Sequence, residues 1–127
     1  MAFYIEASAL LKLAVEEEDS SAVRRWVARH RPCWSSQLLA TKAHRSAIRL
    51  GVAPGIIEEL LDSASLILPA ASTFELAGRL GPLDLGSLDA VHLAAAGEIG
   101  PELEGVVTYD RRVVFGAAAA GFPVIQP

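Results

Sequence analysis

Three acidic residues stand where a short apolar run gives way to a helical pattern. They are Glu6 in F-Y-I-E-A-S-A-L-L-K-L, Asp89 in S-L-D-A-V-H-L-A-A-A and Asp110 in G-V-V-T-Y-D-R-R. In a parallel α/β sheet the ligand crevice lies outside the carboxyl ends of the strands. Carboxylates drawn there from distant segments suit a hard cation such as Mg²⁺ or Mn²⁺, which takes oxygen ligands and needs neither Cys nor His. An ion of that kind neutralises a phosphodiester, lowers the pKa of the attacking water and steadies the leaving oxygen. The chemistry that fits is metal-dependent phosphodiester hydrolysis. Ser8 and Thr108, each two residues from an acid, are placed to hold carboxylates or metal-bound waters, or simply to cap locally.

Each acid also has a plainer role. Asp110, between a strand and a helix, has the place of an N-cap. Asp89 lies in the first turn of an apolar helix, where the dipole favours a carboxylate by a few tenths to about 1 kcal/mol. Glu6 is a poorer cap than Asp, which weakens a purely capping account of it.

Short apolar runs alternate with longer helical patterns. Strands are expected at 2–5, 33–35, 65–68, 105–108 and 123–125. Helices are expected at 8–15, 20–29, 36–50, 54–63, 72–80, from Ser87 to about Gly97, and from Asp110 through Ala120, with Ser87 as an N-cap and Gly51, Gly81 and Gly121 as stops. Strands separated by helices imply parallel crossovers. The fold class is α/β: a three-layer α/β/α sandwich around a mostly parallel sheet of about five strands, forming one domain over 1–127 without repeat or linker.

Apolar residues make up 52% of the 127 residues. That is high for a soluble protein and implies a sheet covered on both faces or apolar surface reserved for a partner. The net charge of −4 argues against bulk electrostatic binding of nucleic acid but leaves room for a local basic patch. The single Cys33 permits no internal disulfide and reads as a small buried residue. The run from Ala7 to Val15 is interrupted by Lys12 and followed by Glu16, Glu17, Glu18 and Asp19, so it is not a signal peptide. No apolar stretch is long enough for a membrane span, and a cytoplasmic protein without membrane partners is expected.

On these motifs the chain resembles the PIN-domain family, and within it the VapC-type toxins of type II toxin–antitoxin pairs. Y-I-E-A-S-A-L-L-K-L is similar to the family's opening D-T-S-A-L-x-K-L. S-L-D-A-V-H-L-A-A-A is similar to its L-D-A-x-H-L-A-x-A block, and V-V-T-Y-D-R-R with A-A-A-A-G-F-P-V-I-Q-P to its last acid and closing strand. The resemblance spans nearly the whole chain. It implies an Mg²⁺- or Mn²⁺-dependent endoribonuclease that cleaves structured RNA (tRNA or rRNA), is neutralised by a cognate VapB-like antitoxin and forms a homodimer. It also implies that Glu6, Asp89 and Asp110 are the catalytic metal ligands.

Four positions depart from the family pattern. Glu6 replaces an Asp, Ala7 a hydroxyl residue, Gly86 a basic residue, and Lys42 the acid expected six residues after Ser36. Lys42 has two readings. Its ammonium points into the carboxylates, occupies the place of a cation and lowers metal affinity and activity; or it faces outward with Arg45 and Arg49 along one helical stripe and meets phosphates. An inactive PIN-fold module that keeps antitoxin, dimer or RNA contacts is the alternative function.

The remaining features have structural readings. His92, one turn beyond Asp89, reads as a satisfied buried imidazole, and His30 and His44 as surface groups. Trp26 and Trp34 read as packing residues rather than base-stacking platforms. The 16–19 acidic run reads as a solvated turn. Arg24, Arg25, Arg29 and Arg31 read either as partners for that run or as contacts for RNA or antitoxin. The apolar positions of the first two helices suit an antitoxin groove or the core equally.

Overall fold

The computed structural model describes residues 2–127; Met1, part of the expected domain, lies outside them. Five strands form one sheet: β1 Ala2–Ile5, β2 Cys33–Ser36, β3 Ala64–Ile67, β4 Leu103–Val107 and β5 Val124–Ile125. Their order is β3-β2-β1-β4-β5, and every pairing is parallel. The chain builds outward from β1 to β3, then crosses to the other side of β1 with β4. The switch point of the sheet therefore lies between β1 and β4, where Tyr4 pairs with Val106 and Ile5 with Val107.

The helices are α1 Ala7–Leu10, α2 Ser20–Arg29, α3 Gln37–Leu50, α4 Pro54–Asp62, α5 Ala71–Ala77, α6 Ser87–Glu98 and α7 Arg111–Ala119. Alternation along the strands sorts them into two layers. Ile5 and Val107 face a core with Leu10, Val23, Leu39, Ala43 and Ile57, contributed by α1 to α4. Tyr4 and Val106 face the opposite core with Leu93, Ala96, Val113 and Ala117, contributed by α6 and α7. The expected three-layer α/β/α architecture is what forms. The apolar positions of α1 and α2 are core: Leu10, Val23 and Val27 are buried.

Helix α6 explains much of the high apolar content. Asp89 through Ala96 are buried without interruption. A helix apolar all round has no solvent face, and α6 is enclosed by the sheet, α5 and α7. Thr73 of α5 fastens it by accepting from the Ala70 amide at 3.1 Å and donating to Glu98 at the end of α6.

Several boundaries differ from expectation. The helix expected at 8–15 is a single α turn at Ala7–Leu10 followed by a 3-10 turn at Leu11–Leu13. The tighter turn directs Lys12 to Glu17 and Asp19, 3.0 and 2.7 Å away, and Arg24 holds Glu16, so the 16–19 run is tied down at three of its members rather than fully solvated. Ser87 is not the N-cap of α6. Gly86 holds that place in extended geometry, and its carbonyl accepts from the Ala90 amide at 2.9 Å.

Gly51 closes α3 in the left-handed region at φ 70, a conformation that costs an ordinary L-residue about 1–2 kcal/mol. Gly51→Ala lowers unfolding stability by about 1 kcal/mol in urea titration, and Gly51→Asn, which tolerates this region better, lowers it less.

Candidate active site

The three sequence-identified acids lie at the carboxyl ends of the central strands. Glu6 follows β1 and Asp110 follows β4, on the two sides of the switch point, and the Glu6 amide bonds the Val107 carbonyl at 3.0 Å. Asp89 enters from above on the first turn of α6.

Glu6 is 1% exposed, and its two oxygens have separate tasks. Oε1 accepts from the Ser8 amide at 3.1 Å, the Ser8 hydroxyl at 2.5 Å and the Thr108 hydroxyl at 2.7 Å. Glu6 is thus the N-cap of α1, contrary to the expectation that its length disfavours capping; extended backbone at φ −103, ψ 161 lets the longer side chain fold back. Ser8 Oγ in turn accepts from the Tyr109 amide at 2.8 Å, and Thr108 Oγ1 from the Asp110 amide at 3.1 Å. Through two hydroxyls, Glu6 fixes the turn that presents Asp110.

The second oxygen, Oε2, faces Lys42. Lys42 Nζ stands 3.4 Å from Glu6 Oε2 and 3.2 Å from Asp89 Oδ1. Of the two readings of Lys42, the structure has the inward one, and Arg45 and Arg49 continue along α3 without it. Burial alone raises the Glu6 pKa, but the Ser8 hydrogen bonds, the Lys42 charge and Thr108 together hold it below the usual carboxylate value. Burial likewise disfavours the Lys42 ammonium, and Glu6 and Asp89 outweigh that and raise its pKa. The two shifts favour the charged form of both groups, and each contributes to the other's, beside Ser8 and Thr108 for Glu6 and Asp89 for Lys42.

Asp89 and Asp110 meet at a cavity of about 360 Å³ walled by Lys42, Gly86, Ser87, Leu88 and Arg112. Glu6 is sealed beneath Lys42 and does not line it. Gly86 makes room for Asp89: a Cβ there would sit 3.3 Å from Asp89 Oδ2. Asp110 Oδ1 caps α7 by accepting from the Arg112 amide at 2.9 Å. Among the described residues, no three His, Cys, Asp or Glu side chains stand close enough to form a metal cage. Glu6 and Asp89 pair with Lys42 instead. The donor set left open to the cavity is one oxygen each of Asp89 and Asp110, which fits a hydrated Mg²⁺ or Mn²⁺ that keeps most of its waters and does not fit a three-carboxylate centre.

Behind the acids lies a buried polar chain. Tyr4 Oη is 2.9 Å from Ser36 Oγ and 2.6 Å from His92 Nδ1. Burial pushes the Tyr4 hydroxyl up to about 12. His92 is buried as expected but only half satisfied, since its Nε2 has no partner among the described residues. His30 and Trp34 also differ from expectation. His30 stacks on Trp26 at 4.2 Å and bonds its carbonyl, whereas Trp34 is 38% exposed. Arg24 pairs with Glu16 at 2.8 Å, as one of its two readings had it. Arg112 and Leu88 are site residues that sequence reasoning missed. Their signal was proximity in sequence, since Leu88 directly precedes Asp89 and Arg112 lies two residues after Asp110, each on the first turn of its helix.

No family profile matches the chain. Curated relatives do. It is 36% identical to the ribonuclease VapC46 of Mycobacterium tuberculosis over 99% of this chain and 98% of that protein. It is 35% identical to the ribonuclease VapC47 and 34% identical to the ribonuclease VapC35 of the same organism, each over 98% of this chain and 96% of the relative. Among solved structures, VapC20 of Mycobacterium tuberculosis, a sarcin–ricin loop cleaving toxin, superimposes with a TM-score of 0.78 over 99% of this chain and 100% of that one. At 15% identity that likeness carries the fold.

The buried groups set the acid response of the fold. Burial, chiefly, lowers the His92 pKa from 6.5 to about 4. Between those values the unfolded chain binds a proton that the folded chain refuses, so stability falls as pH drops, with a slope approaching about 1.4 kcal/mol per pH unit. The Glu6 contribution is lost only below its ordinary value of 4.5. Urea unfolding across this range shows the first slope in the wild type, and His92→Gln flattens it without removing the loss at lower pH.

Proposed function

The chain belongs to the VapC family of ribonucleases with the PIN fold, and from that premise we propose that it is an endoribonuclease toxin whose centre is built around Asp89, Asp110 and Lys42. The observation that carries this reading is the shared cavity of Asp89 and Asp110 at the carboxyl edge of the sheet, in a chain alike over its whole length to ribonucleases.

Asp89 and Asp110 are the residues that would hold a divalent ion. Such an ion, when bound, supplies charge neutralisation at the phosphate and an activated water. Glu6 acts from beneath. It fixes Lys42 by a direct ion pair, and it fixes Asp110 through Ser8 and Thr108. Lys42 Nζ spends donors on Glu6 and Asp89 and has a third. Its charge faces the cavity, where it attracts a phosphate oxygen and repels a metal ion. Metal binding is therefore weaker than a fourth carboxylate at position 42 would give. Asp110 keeps one oxygen on its helix cap and presents the other.

The finer reading is a structured RNA substrate (tRNA or rRNA), supported by the sarcin–ricin loop activity in the description of VapC20. A VapB-like antitoxin and a homodimer are proposed on the family alone. A cytoplasmic location accords with the finding that no helix of the described residues is long and apolar enough to cross a membrane. Residues 1–127 are proposed to act as one domain.

Calorimetric titration with Mn²⁺, run beside RNA cleavage, tests the centre. Lys42→Glu tightens Mn²⁺ by roughly 10- to 100-fold, the scale on which groups flanking a metal tune its binding, and raises cleavage. Asp89→Asn and Asp110→Asn abolish both. Unchanged Mn²⁺ affinity in Lys42→Glu contradicts the cation role of Lys42, and unchanged affinity in the two Asn variants reduces those acids to caps.

A further inference from the structure

A second cavity, about 210 Å³, adjoins the acid centre and is walled by Pro82, Asp84, Leu85, Arg111, Arg112 and Phe115. Arg112 lines both cavities, so the two are neighbours across one side chain. Phe115 is 71% exposed, although most aromatic side chains of this protein are packed. Asp84, Arg111 and Arg112 form no ion pair among the described residues, in contrast to Lys12, Arg24 and Lys42, although the cavity brings opposite charges to its walls. A site that keeps a carboxylate, two guanidiniums and an aromatic face open together is complementary to a molecule with an anion, a flat ring and N–H donors.

We propose that this cavity is a nucleoside subsite that takes an unstacked guanine next to the scissile phosphate, a refinement that rests on the ribonuclease reading above. Phe115 supplies the stacking face, since base–aromatic stacking accepts any π-surface. Arg112, shared with the acid centre, holds the phosphate that joins the bound base to the cleaved linkage, and Arg111 holds the next. Asp84 reads the base. A carboxylate accepts two parallel hydrogen bonds, and guanine alone among the RNA bases offers two adjacent donors, N1–H and the N2 amino group, on its pairing edge. The cavity thus adds selectivity to a centre whose acids recognise only a phosphodiester. The sequence concealed it because its walls come from the 82–85 loop and from α7, and only Arg111 and Arg112 fall within a motif, where Asp110 drew the attention.

Binding in metal-free buffer containing EDTA separates this subsite from catalysis. The probes are a fluorescein-labelled oligouridine with one central guanosine and the all-uridine oligomer, read by anisotropy against salt. The wild type prefers the guanosine oligomer by about 10-fold, the scale of one good bidentate base contact, and Asp84→Asn removes that preference. Phe115→Ala weakens binding of the guanosine oligomer by about 10-fold and Phe115→Trp restores it. Arg112→Gln lowers the slope of log K against log salt by about 0.7. Equal binding of the two oligomers by the wild type, or unchanged binding in Phe115→Ala, overturns the subsite and leaves the ribonuclease reading standing; the second result gives the exposed ring to a protein partner instead. A wild type that binds neither oligomer likewise overturns the subsite, and the ribonuclease reading is then decided by the Mn²⁺ titration and RNA cleavage above.

Discussion

The structure at the carboxyl edge of the sheet depends on one ion-paired trio, Lys42 between Glu6 and Asp89. Glu6 is almost wholly buried, and an isolated carboxylate there would either take a proton or draw in water. Three hydrogen bonds to one oxygen and an ammonium beside the other keep it charged. Removing either partner from a buried pair leaves the other uncompensated, at a cost of about 3–5 kcal/mol. Lys42 is partly open to the cavity, so its own share is smaller. That asymmetry makes Lys42 the adjustable member of the trio and Glu6 the fixed one.

Glu6 also joins the two halves of the sheet. β1 and β4 come from opposite ends of the chain and meet at the switch point. Thr108 and Ser8 carry hydrogen bonds from Glu6 into the 109–110 turn, so the position of Asp110 depends on a residue more than a hundred positions away. One oxygen of Glu6 serves as helix cap and hydroxyl acceptor, and the other faces the Lys42 ammonium, which stands where a cation would. The division of labour follows: Glu6 organises, Lys42 neutralises, and Asp89 and Asp110 face the cavity.

The strand ends and the three acids were legible because period and punctuation agreed there: apolar runs closed by an acid, then helical spacing. The inward direction of Lys42 was legible as one of two alternatives, and only packing of α3 against α1 decided it. Other details were hidden because they depend on partners distant in sequence or on backbone angles. Glu6 caps α1 despite its length because the backbone is extended. Gly86 takes the cap position from Ser87 because Asp89 folds over it. His30 looked like a surface residue, yet it lies one turn after Trp26 and stacks on it. The half-satisfied state of His92 follows from Tyr4, on a strand that no local rule pairs with α6.

The central claim is that an ammonium holds the place between Glu6 and Asp89. Anomalous diffraction from crystals soaked in Mn²⁺ tests it most directly. The account predicts a single manganese peak at Asp89 and Asp110, with Lys42 Nζ still bridging Glu6 and Asp89. A manganese ion coordinated by Glu6 and Asp89, with Lys42 swung into solvent, would contradict it.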